Sequence, residues 1–373
     1  MTITFELNEE LLSPAVRRLF GDDSATVQSF EITALKPGAG NPVSLGVYRV
    51  AGEADVRGTI SPFSLVVKHL ADGRPAMDAS SPTSWNYWAR EMEFFESPLA
   101  ARIPESIGHP KYLGRSSLED GSALFWNGDL GDLEKDEWTW GSCLNATALV
   151  AELNSIKSDD LTDYEWLNRS QVDGWAELHK EWGTYDLNHA IVVELSQARK
   201  DTSEAFRYFG KYLDCYDYIG SLLKGGRHSF VHGDFNLNNL VPAKGDASLI
   251  ALDWQLCGEA RIGTEVAAIY NTAFEHGVTT ADASKFEELC EVYTNRFNEL
   301  NLGNPVALED VRLAAAAMGY FILVNMPLFF MNFPAPETEA ERRERIQGIV
   351  NEFTTGPVTV YARVLSSLQL LEQ

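Results

Sequence analysis

One stretch constrains this chain more than any other. It runs Phe230-Val231-His232-Gly233-Asp234-Phe235-Asn236-Leu237-Asn238-Asn239-Leu240-Val241 and is followed by Ser248-Leu249-Ile250-Ala251-Leu252-Asp253-Trp254. Apolar runs flank polar residues that can take a proton or hold a metal. Gly233 lets the backbone bend tightly beside Asp234. Gly245-Asp246 is a turn signal between Asn239-Leu240-Val241 and the run ending at Asp253. A hairpin centred on Asp246 sets Asn239 opposite Asp253, and both are hard oxygen donors of the kind Mg2+ prefers. Taken singly, Asp234 and Asn239 also read as turn caps and Asp253 as the end of a strand. Taken together at this spacing they read as a site.

Phosphoryl transfer needs such parts. Metal must neutralise the phosphates, and a carboxylate must orient or deprotonate the attacking hydroxyl. A cation for the α/β-phosphates is also required, with a partner to hold it. In Ser64-Leu65-Val66-Val67-Lys68-His69-Leu70, strand alternation puts Lys68 on the face shared by Val66 and Leu70. A lysine there is costly unless it is paired or reaches solvent. Glu91 is a candidate partner. Ser84 caps an expected helix with Trp85, Trp88, Met92, Phe95 and Leu99 at helical spacing, and Glu91 falls on or beside that apolar face.

The rest of the chain reads as a β-rich front third and a helix-rich remainder. A helix is expected over 8–20 and strands over Val27–Leu35, Ser44–Val50, Thr59–Leu70, Lys111–Ser116 and Ser122–Trp126, with Gly52–Gly58 joining the second and third. Residues 143–223 read as mostly helical, Ser229–Trp254 as compact β structure, and the remainder as helix. That order suggests an α+β protein with two lobes joined near 127–131.

The pattern His232-Gly233-Asp234, Asn239-Leu240, then Leu252-Asp253-Trp254 resembles the aminoglycoside phosphotransferase and choline kinase superfamily. The resemblance runs from about residue 28 to 275 and is strongest over about 230–270. It implies a two-lobed protein-kinase-like fold, with a β-rich N-lobe at 1–127 that binds nucleotide. A larger helical C-lobe at 128–373 would carry the catalytic loop and the substrate site.

The same resemblance assigns roles. Asp234 is implied as the catalytic base, His232 as a prop for its loop, and Asn239 and Asp253 as Mg2+ ligands. Lys68 is implied to grip the α/β-phosphates and Glu91 to hold Lys68. Gly38 and Gly40 sit where such a fold places its phosphate-covering loop, though a plain turn fits them equally. Trp126 and Asn127 fall at the hinge, where backbone groups bind the base; Trp126 reads either as a wall beside that base or as a core residue. The implied activity moves the γ-phosphate of Mg-ATP, or GTP, to a hydroxyl of a small molecule, with aminoglycoside-like or amine-bearing compounds as candidates. No A-P-E motif of a long activation segment follows Asp253, which favours a small acceptor over a protein. A nucleotide-binding pseudokinase or regulatory protein is the alternative. Three positions depart from the usual pattern: Asn236 and Asn154 stand where His is common, and Glu265 where Asp is usual.

Charge narrows the partners. With a formal net charge of −24 the chain is repelled by nucleic acids and anionic membranes. The N-terminus has no basic segment followed by an apolar one, so no signal peptide is expected, and Cys143, Cys215, Cys257 and Cys290 form no C-x-x-C pair. A cytoplasmic protein with free thiols is the reading. Leu313–Phe333 is long and mostly apolar, but Asn325, Pro327 and Asn332 interrupt it, and a buried helix is expected there. Oligomeric state is left open.

Overall fold

The computed structural model describes residues 5–35, 43–72, 79–131, 138–174, 176, 217–242, 249–332 and 355–367, with 338, 340, 341 and 344. The chain is a mixed α+β protein with a β-sheet N-terminal region and a helical C-terminal region. It forms two compact units. One takes in Met1–Lys135, Glu165–Asn168 and Val241–Leu256; the other takes in Asp136–Tyr164, Arg169–Leu240 and Cys257–Gln373.

The first unit opens with helix α1, Glu9–Phe20. Asn8 caps it by accepting the Leu11 amide at 3.0 Å, acidic residues fill its first turn, and Gly21 closes it in the left-handed region at φ 64°. Beneath it lies an antiparallel sheet in the order β1-β2-β3-β6-β5, with β1 Thr26–Leu35, β2 Ser44–Val56, β3 Thr59–Leu70, β5 Tyr112–Ser117 and β6 Ala123–Gly128. Leu12, Ala15 and Val16 of α1 pack on one face of the sheet with Phe63, Leu65, Val67, Leu124 and Trp126. Leu70, Ala123 and Phe125 point to the other face and pack with Tyr87, Ala89 and Met92. The period-2 alternation of β3 thus separates Val67 from Lys68.

Two expectations about this unit are corrected. The joint between β2 and β3 is not Gly52–Gly58: β2 runs on to Val56, and Arg57-Gly58 turn the chain at φ 55° and 82°. Positive φ at both central residues matches the twist of a two-residue hairpin. Gly52 is instead a strand residue where β1 comes close, since a Cβ there would lie 2.0 Å from the Ser29 carbonyl oxygen. Likewise, the helix expected from Ser84 begins only at Arg90: helix α2 is Arg90–Glu96. Residues 84–89 stay in turns, and the Arg90 guanidinium takes the Ser84 and Trp85 carbonyls that a helix would have used. A small sheet completes the unit, with β9 Leu249–Ala251 between parallel β4 Ile107–Gly108 and β8 Leu240–Pro242. The turn expected at Gly245-Asp246 lies outside the described residues.

The second unit pairs β7 His228–Val231 with β10 Gly258–Arg261. Its helices are α3 Trp140–Leu153, α4 Val266–Glu275, α5 Ala283–Leu300, α6 Leu308–Asn332 and α7 Pro357–Ser367. Helix α4 contacts all four of the others. Along α6, Val311, Ala314–Ala317, Tyr320 and Phe321 are buried, in line with the expected buried helix. No helix among the described residues is long and apolar enough to cross a membrane. Most of the helical stretch expected over 143–223 lies outside the described residues.

Candidate active site

In the first unit three sequence-predicted residues meet. Lys68 is on the sheet face away from α1, cross-strand from Phe125. Its Nζ donates to Glu91 Oε2 at 2.6 Å and to Asp253 Oδ1 at 2.8 Å. Glu91 belongs to α2, and Asp253 follows β9 by two residues at φ 60°, an uncommon conformation that Asp tolerates better than most residues. That turn lets consecutive residues engage the same pair: the Asp253 carboxylate accepts from Lys68, and the Trp254 amide donates to Glu91 Oε1 at 3.2 Å. The Trp254 ring stacks on Phe94 at 4.7 Å. Arg90, fully buried, donates to the Gln255 and Trp166 carbonyls and fastens this segment to the start of α2.

The electrostatics follow from one cation between two carboxylates. Burial works against the Lys68 charge, but Asp253 and then Glu91 outweigh it, and its pKa is raised. Lys68 therefore stays protonated throughout the physiological range. Burial raises the Glu91 carboxyl, opposed by Lys68. Its side chain is only 4% exposed, against 38% for Asp253, so Glu91 is the structural anchor and Asp253 the accessible carboxylate.

Near the end of β6 the two nucleotide-site candidates part. Asn127 shares a sheet face with Phe125 and Lys68 and is 6% exposed, and its Oδ1 is a buried atom with no hydrogen-bond partner. Trp126 is not beside them. It is 1% exposed on the α1 side of the sheet, and its Nε1 donates to Ser116 Oγ at 3.0 Å. Strand alternation forces neighbours to opposite faces, so Trp126 is a core residue and not a wall of the site. Gly38 and Gly40 lie outside the described residues.

In the second unit a tight loop follows β7. His232 is fully buried, and its Nδ1 accepts the Asp234 amide at 3.3 Å. Gly233 adopts φ 84°, which its missing Cβ permits. A 3-10 turn, Leu237–Asn239, comes next, capped by Asn236, whose Oδ1 accepts the Asn238 amide. The two oxygens of Asp234 are both held by amides: Asn236 Nδ2 donates to Oδ1 at 2.6 Å and Asn239 Nδ2 to Oδ2 at 2.7 Å. The carboxylate is thereby oriented by neutral donors. Since Asn239 uses its amide nitrogen on Asp234, its carbonyl oxygen is the atom suited to a hard cation.

Beneath the loop two of the unusual residues touch. Glu265 Oε1 accepts the Gly233 amide at 2.9 Å, and Oε2 accepts Asn154 Nδ2 at 3.0 Å. Asn154 Nδ2 also donates to the Phe230 carbonyl, and Asn154 Oδ1 accepts the Tyr293 hydroxyl at 2.6 Å. Burial pushes the Glu265 carboxyl up to about 7, against the lowering effect of Asn154 and the Gly233 amide. Gln171, Thr272 and Tyr293 also serve this loop and its support, through Gly233 O, Leu237 N and Asn154 respectively. Sequence reasoning missed all three. Thr272 had a legible signal, because it stands seven residues after Glu265 and so on the same side of α4.

The fold is the one shared by aminoglycoside phosphotransferases and related small-molecule kinases. An aminoglycoside phosphotransferase from Alicyclobacillus acidocaldarius is similar at TM-score 0.53 and 11% identity, over 99% of this chain and 98% of its own. An amicoumacin kinase solved in complex with AMP-PNP, Ca2+ and Ami is similar at TM-score 0.53 and 12% identity, over 93% of each chain. No protein-family model matches the sequence, and neither does any curated protein.

Proposed function

We propose that the protein is a small-molecule kinase that transfers the γ-phosphate of a Mg-nucleotide to a substrate hydroxyl. The observation that carries this reading is the Asp234 carboxylate, held at 2.6 and 2.7 Å by two side-chain amides. An ionised carboxylate offers about four acceptor positions. Asn236 takes one on Oδ1 and Asn239 one on Oδ2, so neither oxygen is spent on a cation of its own loop. Asp234 orients that hydroxyl and accepts its proton as the phosphoryl group leaves the nucleotide. Asn236 and Asn239 fix its orientation, and His232 props the backbone beside it. Lys68, held by Glu91, steadies the α/β-phosphates. Asn239, through its carbonyl oxygen, and Asp253 are the residues suited to the metal, which when bound neutralises phosphate charge. Asn127 is assigned to the nucleotide end of the Lys68 face.

The fold likeness supports this reading, and one of those fold neighbours was solved with a nucleotide analogue and a divalent cation. Either ATP or GTP is the donor, and the net charge of −24 suits an amine-bearing acceptor. The test is Asp234→Ala. Nucleotide turnover should fall by at least about 100-fold, while Mg-nucleotide binding stays within about twofold of wild type. Wild-type turnover in that variant would remove Asp234 from the mechanism.

A further inference from the structure

Most backbone amides of the Asp234 loop have traceable acceptors. Asn236 donates to the Asp234 carbonyl, Asn238 to the Asn236 side chain, and Asn239 to the Asn236 carbonyl, all within the loop. Two other amides reach out to α4 and the residue that precedes it. Gly233 donates to Glu265, and Leu237 donates to Thr272 Oγ1 at 3.1 Å. The Thr272 hydroxyl is itself anchored, donating to the Ala268 carbonyl one turn back at 2.8 Å. A single buried hydroxyl therefore accepts from the loop and donates to its own helix. Leu237 and Thr272 are 1% and 6% exposed, so no water replaces this acceptor.

Leu237 opens the 3-10 turn that Asn236 caps and Asn239 ends. Those two asparagines hold the two oxygens of Asp234. The position of the Leu237 amide thus sets the position of both amides that orient the carboxylate. An exposed contact between His276 and Asn238 Oδ1, at 2.9 Å, adds a weaker tie from the end of the same helix.

We propose that Thr272 is a positioning residue for phosphoryl transfer: by accepting the Leu237 amide it fixes the turn whose asparagines aim Asp234. This rests on the reading of Asp234 as the catalytic base. A displacement of about 1 Å in a catalytic group costs up to about 100-fold in rate. Thr272 touches no reacting atom, so its removal acts on the chemical step and not on nucleotide binding.

The experiment compares wild type, Thr272→Val and Thr272→Ser. It measures kcat and KM for Mg-ATP and Mg-GTP hydrolysis with water as acceptor, the melting temperature, and hydrogen exchange at the Leu237 amide. T272V keeps the shape and removes the acceptor; it should lower kcat about 10- to 100-fold, leave nucleotide KM within about twofold, and speed exchange at Leu237. T272S restores the hydroxyl and should return kcat to within about threefold of wild type. Should T272V not fold, Thr272→Ala carries the same comparison. An unchanged kcat in an otherwise active protein overturns the positioning role alone. So does a fall in kcat that T272S does not rescue, or one matched by an equal rise in KM. A wild type that turns over neither nucleotide and whose melting temperature neither Mg-nucleotide raises overturns the kinase reading itself, and the positioning role with it.

Discussion

Lys68 donates to Asp253 at 2.8 Å while its Nζ also lies 2.6 Å from Glu91, so one ammonium serves two carboxylates of very different exposure. Lys68→Met strands the buried Glu91 with no cation. Removing one partner of a buried ion pair costs about 3–5 kcal/mol. Asp253, more than a third exposed, adds little because solvent screens it. The variant should lose about 3 kcal/mol at pH 8 in urea denaturation. The sign of the pH dependence follows from Glu91. Without Lys68 its carboxyl, already raised by burial, is raised further, so the stranded charge is present less of the time at pH 5 than at pH 8. The loss should therefore be smaller at pH 5 than at pH 8, and an equal loss at both would contradict the pairing.

Glu265 should leave a distinct signature. Its carboxyl rises from the ordinary 4.5 to about 7 because it is buried. The folded state then binds the proton more tightly than the unfolded state, so this group lowers stability as pH climbs from about 4.5 to about 7, and the penalty is complete above that. At about 1.4 kcal/mol per pH unit the change is on the order of 3 kcal/mol. Glu265→Gln cannot ionise. Its stability relative to wild type should increase across that window and level off above about pH 7.5, whatever constant offset the lost Asn154 contact adds. A difference that is flat from pH 4.5 to 7.5 would mean that Glu265 titrates normally.

Gly319 tests the packing of the helical unit. An interior helix glycine replaced by alanine ordinarily gains up to about 1 kcal/mol. Here a Cβ would lie 2.4 Å from the ring of Tyr361, a fully buried side chain whose hydroxyl donates to Asn271 Oδ1 at 2.6 Å. The ring has no room to yield, and overpacking costs about 1–3 kcal/mol. Overpacking wins, so Gly319→Ala should lower the urea midpoint. A midpoint at or above wild type would show that α6 and α7 pack more loosely than described.

Much of this was legible in the sequence. The motif around Asp234 and Asp253 pointed to the kinase-like fold that the chain has, and the alternation of β3 placed Lys68 on the face opposite Val67. What failed depended on tertiary partners. The apolar spacing from Trp85 read as one long helix, but the Arg90 guanidinium took the carbonyls that such a helix needs. Trp126 carried no mark of its face until the pairing of β6 with β3 was known. Asn154 and Glu265 were visible only as separate oddities. Their contact across 111 residues is a property of the fold, and so is the Leu237–Thr272 bond.

The most direct measurement is thermal stabilisation by ATP and by GTP, each with and without Mg2+, on wild type and Asp253→Ala. At about 100 times its Kd a ligand adds roughly 2.7 kcal/mol. A Mg-dependent rise in melting temperature is expected with at least one nucleotide, lost in Asp253→Ala. No shift with either nucleotide, or an undiminished shift in Asp253→Ala, would contradict this expectation.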